Sequence, residues 1–392
     1  MKNRMLGGLL TAAFVAGGSF ALHAEPGVTD TQINIGNVLP MSSSVAITGR
    51  GLHFGTLIAA EEVNAAGGIN GRRIVIQTED DGYVPARSVQ SLRKLISDGV
   101  FSLLSTSGGA GTSAVLPILE EEKIPTIVTL SPVRAAVTPV KPTIFMLGAE
   151  YQDVVYAQIK YIHENRIRDG GHYALVAQDD EFGVQIEQAF NRAVTEFKLD
   201  ALPVIRFKRG QRDFGAEMLT LQSKGVNVLV SGGPTIETPA MLKEARRFGM
   251  TLETTTVPTA LLSPIMKLIA PSGYKVLSGD YVSPFGSKGT AHFEEQSKKF
   301  LKGDDLAAIN RYSLVGYAAA RVMFESIKQC GRDLTRACVV AKMASGQAFD
   351  TTGITAPLSF SATDHLTATA VRVLEVDAAS GTAAPLTDFQ KY

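Results

Sequence analysis

The sequence predicts an α/β protein of two similar lobes, each built on a parallel sheet wound with helices. Three observations carry that expectation. Short apolar runs alternate with amphipathic stretches of about ten to fifteen residues, the signature of βαβ units. The pattern restarts near Tyr151 and runs through a second series of the same kind. At 392 residues the chain is too long for one ordinary core. A hydrophobic content of 45% with 19% charged residues is that of a soluble globular protein. The 38 basic and 38 acidic residues balance, so bulk charge points to neither nucleic acid nor an acidic membrane surface.

In the first series, Ile33-Asn34-Ile35-Gly36-Asn37-Val38-Leu39 alternates and stops at Pro40, a strand entering the hydroxyl-rich loop Met41-Ser42-Ser43-Ser44. A helix is expected over 51–66, with Leu52, Leu57, Ala60 and Val63 on one face and Gly67-Gly68 as its stop. Ile74-Val75-Ile76 is the next strand, Asp80-Asp81-Gly82-Tyr83 its loop, and Pro85 opens a helix. The apolar run 100–104 leads into Ser105-Thr106-Ser107-Gly108-Gly109-Ala110-Gly111-Thr112-Ser113, followed by a helix expected over 114–122. In this loop glycine frees the backbone and Thr112 or Ser113 serves as N-cap. Bare N–H groups and hydroxyls at a helix start attract a negatively charged ligand group; the same residues also serve any plain βα turn. Ile124-Pro125-Thr126-Ile127-Val128 then leads to the loop Thr129-Leu130-Ser131-Pro132.

The second series sets helices at 152–165, 184–197, 213–224 and 239–248 between strands at 172–177, 203–207, 226–230 and 254–257. Its strand-following loops include Gln178-Asp179-Asp180-Glu181-Phe182-Gly183, Ser231-Gly232-Gly233-Pro234-Thr235 and Pro258-Thr259-Ala260. A strand at 276–281, helices at 312–329 and 333–344 and a strand at 371–376 complete the chain. In open parallel sheets ligands sit beyond the carboxyl ends of the strands. All these loops therefore belong to one candidate cleft between the lobes, with Tyr83, Phe182 and Tyr281 as its nearest aromatics.

Lys2 and Arg4 precede the apolar run from Met5 to Ala16, and Leu22-His23-Ala24 forms a cleavage site before Glu25. Residues 1–24 are thus expected to be a signal peptide, cleaved near Ala24, and the chain to be exported to the periplasm. The run is short for a spanning helix, and no later stretch could cross a bilayer. Cys330 and Cys338 are the two cysteines of the chain. In an oxidising compartment they can close a small loop; the alternative is one buried thiol on each of two helices, with Asp333 capping the second.

Catalytic motifs are missing. The sequence contains no G-x-S-x-G elbow, no phosphate-binding G-x-x-x-x-G-K-[ST] and no well-placed G-x-G-x-x-G. Its histidines are scattered, with no i,i+4 pair suited to a metal, and no cofactor or metal is expected. The acidic clusters Asp80-Asp81 and Asp179-Asp180-Glu181 are explained by turns and caps. A secreted hydrolase using Ser107 or Asp180 would need a base that no strand-following loop offers.

At these residues the chain resembles the periplasmic solute-binding proteins of ABC importers, in the branched-chain amino-acid-binding class. The resemblance is carried by Ile33-Asn34-Ile35-Gly36 with Leu39-Pro40 and by Ala59-Ala60-Glu61-Glu62-Val63-Asn64-Ala65-Ala66-Gly67-Gly68-Ile69-Asn70-Gly71. It continues through Asp80-Asp81, Pro85, Ile124-Pro125, Phe182-Gly183, Asp213-Phe214 and Gly249. It implies a type I periplasmic binding protein fold: two Rossmann-like lobes joined by a three-stranded hinge, closing on a ligand between them. Carried over, lobe 1 is 26–147 plus 280–358 and lobe 2 is 148–279 plus 359–392. The implied ligand residues are Ser107, Gly109, Ala110, Thr112, Ser131 and Pro132, with Tyr83, Phe182 and Thr235 from the facing loops. The implied partners are a small solute and the permease and ATPase subunits of an inner-membrane importer, and a monomer is expected. Amino-acid binders of this class carry a carboxylate for the ligand ammonium near the position of Ala260, and no acidic residue lies between Thr254 and Lys267. A buried ammonium without a partner costs several kcal/mol. The expected ligand is therefore a carboxylate or amide lacking an ammonium, such as an aromatic or organic acid. A register shift over 231–265 would instead bring Glu237 or Glu253 into play and restore an amino acid. A periplasmic sensor on the same fold is the other alternative.

Overall fold

The computed structural model describes residues 25–130 and 133–392. The expected leader, and the pair Ser131 and Pro132, lie outside the described residues. The first series comprises β1 (Gln32–Leu39), α1 (Ala46–Ala65), β2 (Arg73–Asp80), α2 (Pro85–Ser97), β3 (Ser102–Ser105), α3 (Gly108–Glu121), β4 (Thr126–Val128) and β5 (Ile144–Leu147). The second comprises α4 (Tyr151–Asn165), β6 (His172–Gln178), α5 (Glu181–Phe197), β7 (Asp200–Ala201), β8 (Ile205–Phe207), α6 (Gly215–Ser223), β9 (Val228–Gly232), α7 (Glu237–Arg247), β10 (Glu253–Thr256), α8 (Ser263–Ile269) and β11 (Val276–Asp280). Then come α9 (Ala291–Phe300), α10 (Gly303–Ala307), α11 (Arg311–Gln329), α12 (Arg336–Met343), β12 (Leu366–Thr367), β13 (Arg372–Asp377) and β14 (Thr382–Pro385).

The strands form two sheets. The first has the order β12-β5-β4-β3-β1-β2 and is parallel throughout, with β1 and β2 in register from Gln32 opposite Arg73 to Leu39 opposite Asp80. The second has the order β14-β13-β11-β10-β9-β6-β7, with β8 also on β6, and is parallel except for β13 and β14. Strands such as β3, β4, β5 and β9 are buried along their whole length. That is why they read as unbroken apolar runs: helices cover both faces of a parallel sheet. In the first lobe α1 and α11 cross so closely that a Cβ on Gly55 would meet the Ser313 carbonyl at 2.1 Å, and one on Gly316 the Leu52 carbonyl at 2.4 Å.

The chain passes between the sheets after β5, after β11 and between β12 and β13. The third passage departs from expectation. Residues 366–367 pair with β5 in the first sheet, so the return to the second comes after Thr367 and not at 358. A two-residue edge strand has no periodicity to announce it.

Two helix starts also differ. α3 begins at Gly108, inside the glycine-rich stretch, so Thr112 and Ser113 lie within the helix and Ser107 holds the N-cap position. Glycine's low helix propensity argues for a loop, but packing against the neighbouring loop outweighs it. At the other site Thr335, not Asp333, caps α12, its hydroxyl accepting from the Cys338 N–H at 3.1 Å. Cys330 and Cys338 are joined as a disulfide. No helix among the described residues is long and apolar enough to cross a membrane.

Candidate ligand cleft

Each sheet reverses its strand order once, between β1 and β3 in the first and between β6 and β9 in the second. Open α/β sheets bind ligands at that point, outside the carboxyl ends of the strands. The two reversal points face each other across a cavity of about 30 Å³. The first lobe lines it with Val45 and Thr48 after β1, Tyr83 after β2, Gly108 after β3 and Leu130 after β4. The second lobe supplies Tyr151 at the start of α4, Phe182 after β6, Pro234 after β9 and Thr259 after β10. Tyr312, in the first turn of α11, closes the wall.

The local sequence explains these placements. Asp80 accepts from the N–H groups of Gly82 at 2.8 Å and Met41 at 2.9 Å, tying the loops after β1 and β2 together. Asp81 is fully buried and accepts from the Tyr83 N–H at 2.9 Å. Those bonds hold Tyr83 in a left-handed conformation, φ 65°, and bring its ring against the start of α3. A Cβ on Gly108, itself at φ +50°, would come within 2.5 Å of that ring. Only glycine fits there. On the other side Asp180 caps α5 through the N–H groups of Phe182 and Gly183, the role in helix capping expected for its acidic cluster. The Phe182 ring then stands edge-on to Tyr151, 5.0 Å between centroids.

Of the residues expected at the ligand, the structure brings Tyr83 and Phe182 into the cavity wall. Ser107 is buried and donates to the Asp81 carboxylate at 2.9 Å. The Thr112 hydroxyl is paired with Thr106 at 2.7 Å, both fully buried. Gly109 abuts Glu181 and the Phe182 N–H across the cleft, and Ala110 is half-buried beside it. Among the described residues no side chain caps this end of α3, so its first N–H groups lack a side-chain acceptor there. Thr235 lies just behind Pro234, its hydroxyl 3.3 Å from the Ser44 carbonyl of the other lobe. Ser131 and Pro132 lie outside the described residues. Tyr281 does not reach the cavity; it packs on Arg311, 5.3 Å from the guanidinium. The wall residues Tyr151 and Thr259 stand just beyond strand ends and carried a readable signal. Tyr312 carried none, since it follows a helix.

The cavity is uncharged. No Asp, Glu, Lys, Arg or His among the described residues lines it. Burial pushes the Tyr83 phenol well above its usual range, with the Asp180 charge adding to the rise, and burial does the same to Tyr151. Both remain neutral hydroxyls across the physiological range. Glu237 stands at the start of α7 and is in no ion pair with a described residue. It is buried, its acid strength is lowered by that burial, and it accepts from the Thr235 N–H at 3.0 Å. A space of this size holds about two waters. The lobes are therefore drawn together in this structure, and a larger occupant requires them to part. Among the described residues no group of three His, Cys, Asp or Glu is placed to hold a metal ion.

Comparison with known proteins bears on this geometry. Residues 32–382 match the family model described as periplasmic binding protein. The Leu/Ile/Val-binding protein BraC3 of Rhizobium johnstonii is 28% identical over 233 residues, 57% of this chain and 59% of that relative. The chain thus spans less than two thirds of that relative's length. The leucine-, isoleucine-, valine-, threonine- and alanine-binding protein of Pseudomonas aeruginosa is 24% identical over 82% of this chain and 84% of its own. Among solved structures, a branched-chain amino acid ABC transporter protein from Thermus thermophilus with bound valine superposes with a TM-score of 0.82, at 18% identity over 92% of this chain and 97% of that one. A fatty acid ABC transporter substrate-binding protein from Thermomonospora curvata gives 0.80, at 21% identity over 94% of each chain. A solute-binding protein from R. palustris in complex with benzoate gives 0.76, at 17% identity over 92% and 98%.

Proposed function

The chain belongs to the periplasmic binding protein family, and from that premise we propose that it captures an amine-free carboxylate or amide with a flat apolar body. The uncharged, ring-lined cavity carries this reading. Tyr83, Tyr151, Phe182 and Tyr312 offer apolar faces, and an ammonium enclosed there would lack a counter-charge, at a cost of several kcal/mol. The start of α3 at Gly109 and Ala110 is the proposed seat of the ligand's oxygen atoms, and the Thr48 and Thr259 hydroxyls complete the polar contacts. One structural neighbour in complex with benzoate, and another named as a fatty acid ABC transporter substrate-binding protein, supply precedent for amine-free cargo on this fold. The ligand enters when the two lobes part about their three connections. The closed complex is then delivered in the periplasm to a membrane permease and its ATPase. The chain acts as a binding protein, not as an enzyme.

Glu237 favours a second reading. With the lobes parted, its carboxylate would face an amino-acid ammonium, in keeping with the Leu/Ile/Val-binding relatives. A thermal-shift panel of benzoate, short aliphatic acids, small amides, leucine and valine separates the two. Ligand at a hundredfold excess over its dissociation constant adds roughly 2.7 kcal/mol of apparent stability. The expected result is a rise in melting temperature with amine-free acids or amides alone, unchanged by Glu237→Gln. A rise with leucine that Glu237→Gln abolishes would establish the second reading and end the first.

A further inference from the structure

The second lobe carries another concavity, away from the cleft wall, between the outer face of α7 and the turn that follows α8. It encloses about 480 Å³, a volume typical of small-molecule sites. Its floor is apolar, formed by Ile236, Pro239, Ala240 and Pro271 with Leu268, which is 52% exposed. Arg212, Lys243 and Arg246 stand around it. We propose that this groove is a second ligand site, taking a small amphipathic anion: a carboxylate on an apolar body.

Charge argues for the anion. No described residue forms an ion pair with Arg212, Lys243 or Arg246, whereas the neighbouring Arg247 is paired with Glu244 at 2.9 Å. Arg212 acts through space on the buried Glu237, favouring its charged form, without forming an ion pair with it. The helix dipole explains basic residues in the last turn of α7. It does not explain Lys243, a turn earlier, or Arg212, on the segment before α6. Three like charges converging on one groove repel one another, and an anion among them removes that repulsion. The apolar floor argues for the body: an exposed leucine with two prolines beneath it gains nothing from a fully hydrated ion such as phosphate.

The test is isothermal titration calorimetry on the mature chain with octanoate, using octan-1-ol and acetate as controls. Saturable octanoate binding is expected, retained in the cleft variant Phe182→Ala. It should weaken by roughly tenfold or more in the triple variant R212A/K243A/R246A, the loss of at least one charge-assisted contact. Ala240→Trp, which fills the groove and leaves the charges, should weaken it likewise. Three outcomes overturn the proposal: no saturable octanoate binding, equally tight binding of octan-1-ol or acetate, or binding that Phe182→Ala removes and the triple substitution leaves intact. The last would make octanoate a cleft ligand. The benzoate and leucine panel reads the cleft separately, so failure of either assignment leaves the other standing.

Discussion

Replacing Asp280 with alanine is expected to lower the unfolding free energy by about 3–5 kcal/mol, the range for a buried ion pair stripped of one partner. Asp280 ends β11 and Arg311 begins α11; they are 3% and 6% exposed. The Arg311 Nε donates to one carboxylate oxygen at 2.9 Å, and a terminal nitrogen donates to the other. That second oxygen also accepts from the Tyr281 N–H at 2.8 Å, so the substitution orphans backbone as well as charge. Burial acts to discharge Arg311, but the Asp280 carboxylate, its hydrogen bond and the Tyr281 and Tyr312 phenols together outweigh it and hold the guanidinium protonated. The Tyr281 and Tyr312 rings flank it at 5.3 and 4.8 Å. Because β11 lies in the second sheet and α11 packs on α1, the pair ties the lobes at one of their connections. Urea unfolding of D280A, R311M and D280A/R311M checks this. The double variant should lose less than the sum of the singles, since it leaves no unpaired charge. A loss of about 1 kcal/mol or less in D280A, the value of an exposed pair, would count against the account.

Arg209→Ala is expected to weaken cleft-ligand affinity by about 5–30-fold while leaving every cavity-lining side chain in place. Arg209 follows β8 in the second lobe and reaches over the first. It donates to the Tyr83 carbonyl at 2.6 Å, lies 4.1 Å above the Tyr83 ring, and pairs with Asp180, the cap of α5. Charged hydrogen bonds contribute about 1.5–3 kcal/mol and cation–π contacts about 0.5–2 kcal/mol. With the Arg209 side chain 32% exposed, solvent screening reduces their sum to about 1–2 kcal/mol. The two contacts to Tyr83 cross between the lobes and favour the closed arrangement, whereas the Asp180 pair lies within the second lobe; the affinity of a ligand that needs closure falls with the closed population. Calorimetry with the compound that raises the melting temperature gives the affinity; small-angle scattering gives the lobe separation without ligand. Arg209→Lys keeps the charge but not the planar stacking and should fall between. Wild-type affinity together with wild-type dimensions in R209A would show that the contact does not govern closure.

Most of the architecture was legible because it is local. Buried parallel strands read as apolar runs, helices as a 3.6-residue period, and glycine, proline and Asx residues as the punctuation between them. Two such series, with polar loops after their strands, were enough to predict two lobes and a cleft. Asp180 was readable as a cap, and Tyr83 and Phe182 as cleft aromatics, from their places just beyond strand ends. Other residues have chemistry that suits two partners. Ser107 and Thr112 have the hydroxyls that a carboxylate would use, and in this structure they bond Asp81 and Thr106. The glycines at 108, 109 and 111 suggested a loop and belong to a helix.

The sequence by itself determined the fold class, the order of elements and the end of the sheets at which the candidate cleft lies. Tertiary structure alone decided which side chains meet there. Tyr312 enters the wall, Arg209 grips a tyrosine 126 positions away, and Arg311 finds Asp280 from another element. Backbone periodicity is set by neighbours a few residues apart and leaves a repeating trace. A hydrogen bond or ion pair between distant segments is one pairing among many of equal chemistry, and only the packing of the two sheets selects it.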